Sequence, residues 1–177
     1  MAHSLVLTLI GHDKIGIVDS VTNLVMRSNG NIGASRMARL GGEFAMLLLI
    51  ETPADRFECL RKDLISLREE GYIVNIVETE QDDAKKYTGW LPCQIEMTGA
   101  DHEGVVHLIT RYLAEHSINI ESLETSVMKA PMSGTPLFAI KAVVVIPPGF
   151  TLPRLEQGLK KVGDELNMDT KVMPFTG

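Results

Sequence analysis

The sequence predicts an α+β fold of two tandem βαββαβ units, each built on an antiparallel sheet. The chain has 177 residues, of which 45% are hydrophobic and 23% are charged, a composition typical of soluble globular proteins. At about 100 to 200 residues per domain, this length permits one domain or two small ones. The choice of two rests on an internal repeat and on the same order of strand-like and helix-like segments in both halves.

The repeat begins with a loop whose residues recur 88 positions later. Gly11, Asp13, Gly16 and Val18 return as Gly99, Asp101, Gly104 and Val106. The same displacement carries Thr22 to Thr110 and Asn31-Ile32 to Asn119-Ile120. Further along, the displacement grows to 94, since Phe44-Ala45 returns as Phe138-Ala139, which predicts a longer loop near Lys129 to Pro136 in the second copy. A period of this size indicates domain duplication.

In the first copy, Ser4 to Ile10 is a short apolar run followed by a Gly/Asp turn and apolar residues at helical spacing from Ile17 to Val25. Ile32 to Leu40 and Phe44 to Ile50 then flank Gly41-Gly42, a favourable two-residue hairpin turn. Pro53 is predicted to open a second helix, and Tyr72 to Val77 forms the last strand.

The second copy repeats this order. The predicted elements are a strand at Cys93 to Met97, a helix through Val105 and Leu113, strands at Ile118 to Met128 and Leu137 to Ile146, a helix from Leu152 to Leu166 and a strand at Thr170 to Met173. Polar residues separate the copies, so we predict a first domain at residues 1–80, a linker at 81–91 and a second domain at 92–177. Trp90 is interpreted as an anchor against one domain.

Neither central strand alternates between apolar and polar residues. Phe44 to Ile50 is apolar at every position, and so is Val143 to Ile146. Because each unit has helices for one sheet face, the second face is predicted to pack on a sister domain or a second chain. We therefore expect a homo-oligomer, assembled sheet to sheet or edge to edge.

The repeated loop joins a strand to a helix N-terminus, where unpaired backbone N–H groups favour an anion. Asp13 could bind an ammonium group while the N–H groups near Gly16, Ile17 and Val18 accept a carboxylate, and together these features describe a free α-amino acid. A structural explanation stays open beside this one, because Asp is a preferred N-cap and glycine is common in turns.

Charge and composition exclude several classes of function. Seventeen Lys and Arg against twenty-three Asp and Glu leave a net charge of −6, which disfavours direct contact with nucleic acid. Cys59 and Cys93 lack zinc spacing and are expected to be buried reduced thiols. No segment has the features of a signal peptide or membrane helix, so we expect a cytoplasmic protein. No catalytic motif is present, and we expect no catalytic residue, metal or cofactor.

The repeated loop and the Asn-Ile pairs resemble the motifs of a known protein family. A βαββαβ unit with the pattern Gly-x-Asp-x-x-Gly-[Ile/Val]-Val after its first strand, and Asn-Ile at the start of its second, resembles the ACT domain, an amino-acid-sensing module with a ferredoxin-like fold. The tandem pair and the stretch from Asn31 to Phe44 are similar to the glycine cleavage system transcriptional repressor family. The resemblance covers nearly the whole chain.

The resemblance implies a ligand site, a ligand and a partner. Ligand contacts are implied for Asp13, Gly16, Ile17, Val18, Asn31 and Ile32 in the first copy and for Asp101, Gly104, Val105, Val106, Asn119 and Ile120 in the second. The Asn-Ile pairs are implied to act across a domain or subunit interface. The ligand would be a small amino acid such as glycine or serine, and the implied partner is a DNA-binding transcriptional activator.

Two alternatives remain open for the function. One is a structural or oligomerising module whose loops are caps, and the other is a small enzyme on a ferredoxin-like scaffold, since this fold hosts many functions. An amino-acid sensor is preferred because the charge-complementary loop occurs twice and a catalytic set does not occur.

Overall fold

The computed structural model describes residues 2–79, 86–129, 134 and 136–175. The chain divides into two compact units, Met1–Asp83 (unit 1) and Ala84–Gly177 (unit 2), and each contains a four-stranded antiparallel sheet and two helices. The predicted fold class, two tandem ferredoxin-like units, is therefore confirmed. Residues 81–85 of the predicted linker, and residues 130–133 and 135 of the predicted longer loop, lie outside the described residues.

Unit 1 has the predicted order of elements. They are β1 (Ala2–His12), α1 (Ile17–Arg27), β2 (Asn31–Leu40), β3 (Glu43–Pro53), α2 (Phe57–Ser66) with a 3-10 turn (Leu67–Glu70), and β4 (Ile73–Thr79). The strand order in the sheet is β2-β3-β1-β4. Leu40 pairs with Glu43, so Gly41-Gly42 forms the predicted two-residue hairpin turn.

Unit 2 repeats the same topology. Its elements are β5 (Leu91–Ala100), α3 (Val105–Glu115), β6 (Asn119–Lys129), β7 (Pro136–Ile146), α4 (Leu152–Leu166) and β8 (Met168–Pro174). The strand order is β6-β7-β5-β8. β5 and β1 are therefore the equivalent central strands that lead into the two repeated loops.

Each unit has its own hydrophobic core between one sheet face and the two helices. In unit 1, alternate residues of β1 and β3 are fully buried against one stripe of each helix. This core includes Leu5, Leu7, Leu9, Val21, Met46, Leu48, Leu60 and Leu64. The unit 2 core includes Ile95, Met97, Ile109, Leu113, Ile140, Val144, Leu155 and Leu159. The period of two in the strands and of 3.6 in the helices places these side chains on one face of each element.

One predicted boundary was wrong. The second helix begins at Phe57 and not at Pro53, because β3 continues to Pro53 and pairs there with Ala2. The strand is thus lengthened by a partner far away in the sequence. In unit 2, β5 begins at Leu91, the last residue of the predicted linker, and pairs there with Ile146.

The two cysteines have different surroundings. Cys93 is fully buried, and this burial raises the pKa of its thiol. Cys59 is exposed on α2, with its Sγ 4.0 Å from an Asp63 carboxylate oxygen. The expectation of a buried thiol was therefore right for Cys93 and wrong for Cys59, because the side of α2 that carries Cys59 faces away from the core.

The second sheet face differs between the units. In unit 1 this face carries Ile10, Leu47, Ile73 and Val77, all substantially exposed. In unit 2 the equivalent centre of the face carries Glu96, which pairs in register with Lys141 on one side and with Lys171 on the other. The second face of unit 1 is thus apolar at these positions, with Arg36 paired to Leu47 on β2, whereas the centre of the face in unit 2 is charged.

Candidate functional site

The first loop, residues 11–16, leads into α1 without a side-chain cap. Gly16 occupies the N-cap position with a φ of 91°, in the left-handed region that favours glycine, and no side chain bonds to the helix terminus. Asp13 is therefore not the N-cap that the structural explanation requires. Its N–H donates to the Gly42 carbonyl at 3.1 Å, and its carboxylate lies 3.7 Å from Nε of Arg39. The carboxylate is thus held near the β2–β3 hairpin.

The first turn of α1 presents open backbone donors. The Ile17 N–H donates to the Lys14 carbonyl at 3.3 Å. Within residues 2–79, the N–H groups of Val18 and Asp19 have no hydrogen-bond acceptor. The Ile17 side chain is buried in the core, so this residue can offer a ligand little beyond its backbone. Together with the positive end of the helix dipole, these donors can accept a carboxylate.

The second loop, residues 99–104, has the same backbone design. Gly104 is the N-cap with a φ of 83°, again without a side-chain cap. The Val105 N–H donates to the His102 carbonyl at 3.5 Å, and the Val105 side chain is buried, whereas Val106 is partly buried. The two loops therefore offer the same set of donors.

The aspartates of the two loops differ in their charge partners. Asp101 makes no ion pair or hydrogen bond with any described residue. The position equivalent to Arg39 is Val127, since Arg39 pairs with Phe44 in unit 1 and Val127 pairs with Phe138 in unit 2. Asp101 is thus the carboxylate whose charge is not offset by an arginine of its own unit.

The Asn-Ile pairs lie at the other end of each sheet. Asn31 pairs with Glu51, whereas His12, at the start of the first loop, pairs with Glu43. Eight residues of β3 separate these positions, which corresponds to about 27 Å at roughly 3.4 Å per residue. Asn31 instead lines a groove of about 400 Å³ with Ala2, Asn29, Glu51, Thr52 and Pro53. Within one unit, the structure does not bring the loop and the Asn-Ile pair together.

Unit 2 repeats this separation. Asn119 pairs with Val145 and Ile120 with Val144, near the start of β5, where Leu91 pairs with Ile146. The second loop follows the opposite end of β5. The predicted site residues therefore fall into two groups in each unit, with the loop residues at one end and the Asn-Ile pair at the other.

A concave surface beside the first loop contains residues that the sequence did not single out. It encloses about 380 Å³ and is lined by Ile10, Gly11, His12, Lys14, Glu43, Glu70, Gly71, Tyr72 and Ile73. His12 Nδ1 lies 2.9 Å from a Glu43 carboxylate oxygen, and Lys14 Nζ lies 3.8 Å from one of Glu70. The repeat indicated Gly11, but it could not indicate Glu70 and Tyr72, which reach this surface because the chain returns to it just before β4.

The described residues contain no cluster of three or more His, Cys, Asp or Glu side chains that could hold a metal ion. Among the same residues, none of the helices combines the length and the hydrophobicity that a transmembrane span requires. Each loop instead combines an aspartate carboxylate with backbone N–H groups at a helix N-terminus that no side chain caps, and this combination is the candidate binding site.

Comparison with known proteins identifies the family. The model of the ACT domain matches residues 3–75, most of unit 1. UPF0237 protein YjhC of Lactococcus lactis subsp. lactis is 35% identical over 71 residues, which cover 40% of this chain and 80% of that protein. The chain belongs to the ACT domain family.

Similarity extends over both units. The glycine cleavage system transcriptional repressor of Escherichia coli K12 is 24% identical over 166 residues, covering 93% of this chain and 86% of the relative. The crystal structure of an unknown protein from Galdieria sulphuraria matches with a TM-score of 0.85 and 26% identity, covering 99% of this chain and 100% of that one. The ACT fold and the similarity to a repressor support a regulatory role.

Proposed function

We propose that this chain is an amino-acid-sensing regulator that acts as a glycine cleavage system transcriptional repressor through a partner protein. The observation that carries the sensing role is the second loop, where the Asp101 carboxylate has no partner among the described residues beside the open first turn of α3. An ammonium group and a carboxylate on one small ligand would complement these two features.

The ligand proposed is a small amino acid such as glycine or serine. The helix N-terminus at Gly104, Val105 and Val106 would take the carboxylate, with the open Val106 N–H as donor because the Val105 N–H already donates to the His102 carbonyl, and Asp101 would take the ammonium group. The first loop offers Asp13, Gly16, Ile17 and Val18 for the same contacts, but Arg39 competes for the Asp13 carboxylate. We therefore assign the stronger site to unit 2.

The Asn-Ile pairs enter this proposal as residues of a different ACT unit. About 27 Å of strand separates each Asn-Ile pair from the loop of its own unit. In this proposal each pair therefore contacts a ligand that is held by the loop of a different ACT unit. The residues concerned are Asn31, Ile32, Asn119 and Ile120. Their amide and backbone groups would then close the side of the ligand that the loop leaves open.

The route to DNA is proposed to run through a DNA-binding activator protein. A net charge of −6 is unfavourable for contact with phosphates, which depends on Lys and Arg. Ligand binding would then shift the population of the form that holds the activator, which is how an effector changes affinity at a second surface.

The test is a thermal-shift screen of the twenty amino acids. A ligand at about 100 times its Kd adds on the order of 2.7 kcal/mol of stability, so glycine or serine should raise the Tm measurably. We expect Asp101→Ala to abolish the shift and Asp13→Ala to retain most of it. Asp55→Ala, which removes an exposed carboxylate outside both loops, is the matched control and should respond as wild type does.

Three results would change the proposal. A shift that disappears in Asp13→Ala and persists in Asp101→Ala would move the working site to unit 1. An undiminished shift in the double variant would reject the loops, and the absence of a shift with any amino acid would reject sensing. A pull-down of the activator with and without glycine tests the partner separately.

A further inference from the structure

A second concave surface lies between the two helices of unit 2, and its lining includes neither the residues of the second loop nor Asn119 and Ile120. It encloses about 350 Å³ and is lined by Tyr112 and His116 of the α3 segment and by Arg154, Gln157, Gly158, Lys161, Val162 and Glu165 of α4. This volume is on the scale of small-molecule sites, which begin at roughly 300 Å³. We refer to it as the α3–α4 groove.

The close approach of Tyr112 to α4 depends on a glycine. A Cβ at Gly158 would overlap the Tyr112 hydroxyl oxygen, so only a residue without a side chain permits this packing. The Tyr112 hydroxyl makes no hydrogen bond with the described residues. Burial raises the pKa of this phenol, and the Arg154 guanidinium partly offsets the increase. The groove therefore contains a protonated hydroxyl with an unused hydrogen-bond capacity.

Aromatic contacts hold the other groups of the groove in place. The His116 ring lies 4.4 Å from the Tyr112 ring and 5.3 Å from the Phe150 ring, measured between centroids, and its Nδ1 lies 2.8 Å from the Tyr112 carbonyl oxygen. The Arg154 guanidinium lies 4.8 Å from the Phe150 ring centroid, within the range of a cation–π contact. A cation fixed in this way loses less entropy when it binds an anion.

The cations of the groove lack an ion-pair partner in the part of the chain that the structure describes. Among the described residues, Arg154 and Lys161 make no ion pair. Glu165 is the carboxylate of the lining, and it too has no such partner there. The groove thus combines two cationic donors and a hydroxyl with one acceptor at its end.

Unit 1 builds the same pair of helices without these groups. Buried Leu60 and Leu64 of α2 correspond to Leu155 and Leu159 of α4, a displacement of 95. By this register and the displacement of 88 for the preceding helix, the equivalents of Tyr112, His116, Arg154, Gly158 and Lys161 are Leu24, Ser28, Cys59, Asp63 and Ser66. The fold therefore does not require the cationic groove.

We propose that the α3–α4 groove binds a small phosphate monoester. Arg154 and Lys161 would contact the phosphate oxygens, Arg154 with its planar fork of donors, and the Tyr112 hydroxyl would donate a further hydrogen bond. The lining is net positive by one, because Glu165 offsets one of the two cations, and a phosphate monoester offers three acceptor oxygens to the Arg154, Lys161 and Tyr112 donors where a carboxylate offers two. Glu165 would accept a hydrogen bond from a hydroxyl on the organic part.

NMR titration of the full chain with glycerol 3-phosphate tests the proposal, with sodium chloride at matched ionic strength as the reference. At about 10 mM ligand, which would saturate a site of millimolar Kd, we expect saturable shifts confined to α3, α4 and the Arg154 side chain. Arg154→Gln combined with Lys161→Gln should weaken binding by about tenfold or more, because both charge-assisted contacts are lost. Tyr112→Phe should weaken it by about threefold.

Lys160→Gln is the matched control, since it removes a cation from the neighbouring position of α4 that does not line the groove. It should bind as wild type does, and unchanged Tm values should show that all variants are folded. The proposal is overturned if wild type shows no saturable shift, if the double variant responds as wild type does, or if acetate binds as tightly as glycerol 3-phosphate. Inorganic phosphate should bind at the same residues but more weakly, because it lacks the organic hydroxyl that Glu165 would contact. If inorganic phosphate and glycerol 3-phosphate bound with equal affinity, the proposed contact with Glu165 would be wrong.

Discussion

At the residue scale, the repeated glycines of the two loops have different structural reasons. Gly16 and Gly104 lie at positive φ values of 91° and 83°, with no atom near the position of a Cβ. Gly11 and Gly99 instead allow the chain to pack closely. A Cβ at Gly11 would contact the Tyr72 ring, and one at Gly99 would lie 2.6 Å from the Asn167 carbonyl oxygen. The Gly-x-Asp-x-x-Gly pattern therefore combines a packing position with a helix-entry position.

We predict that Gly11→Ala destabilises the protein by about 1 to 3 kcal/mol, because the new methyl group must displace the buried Tyr72 ring. Urea unfolding measures this change. Gly42→Ala is the control, since a Cβ there meets no atom within 4 Å, and its effect should stay within about 0.5 kcal/mol. Equal losses in the two variants would show that Tyr72 does not fill the space beside Gly11.

The role of Asp13 illustrates what sequence reasoning could not decide at this scale. The same residue is expected in a helix cap and in an ammonium site, and the two differ in where the helix begins. The left-handed Gly16 moves the N-cap away from Asp13, and Arg39 on a neighbouring strand pairs with its carboxylate. Neither the dihedral angle nor a contact across 26 residues is encoded in the loop motif.

At the element scale, hydrophobic spacing and turn residues predicted, in their order, the eight strands and four α-helices of the described residues. These signals are local, as in the Gly41-Gly42 hairpin, which a short stretch of chain specifies. The errors arose where tertiary pairing extends an element. β3 reaches Pro53 because Ala2, about 50 residues earlier, pairs with it, so Pro53 ends a strand and does not open α2.

A buried hydrogen bond links two elements of unit 1. The Thr52 hydroxyl of β3 donates to the Ser28 carbonyl at the C-terminal end of α1, over 3.2 Å, and both residues are almost fully buried. We predict that Thr52→Val costs about 1 kcal/mol, because the carbonyl loses a donor in a place that water does not reach. Denaturant unfolding measures the loss.

Thr8→Val is the matched control for this bond. The Thr8 hydroxyl has no hydrogen-bond partner among the described residues, and Thr8 lies on the second face of the same sheet. We expect Thr8→Val to be neutral or slightly stabilising, since valine suits a strand. If Thr52→Val were as mild as Thr8→Val, the bond would contribute nothing to the docking of α1 on β3.

At the scale of the whole molecule, duplication has produced two units with one topology and different surfaces. The second sheet face of unit 1 exposes several apolar side chains, with Arg36 beside Leu47 as its charged residue on β2, whereas that of unit 2 presents Glu96, Lys141 and Lys171 at its centre. The repeat in the sequence predicted the common fold. It could not predict that the second sheet faces differ, because the face that a residue occupies depends on strand register. An apolar run such as Val143 to Ile146 does not show whether the residues next to it on the sheet are charged.

The apolar face of unit 1 leads to a prediction about assembly. Monomeric proteins seldom expose an apolar patch larger than a few hundred Å², and Ile10, Leu47, Ile73 and Val77 lie on adjoining strands. The same face on a second copy is an apolar match, and a two-fold axis would bring the two together. We therefore predict a homodimer that buries this face.

Leu47→Lys tests the dimer, because it places a charge at the centre of the face on β3, where Leu47 is 46% exposed. Size-exclusion chromatography with light scattering should give a dimer for wild type and a monomer for this variant. The reason is that burying an unpaired lysine costs more free energy than a single apolar side chain contributes to an interface of standard size. Met26→Lys, on an exposed position of α1, should remain dimeric. A monomeric wild type, or a dimeric Leu47→Lys variant, would contradict assembly through this face and would leave Ile10, Ile73 and Val77 as ordinary exposed side chains.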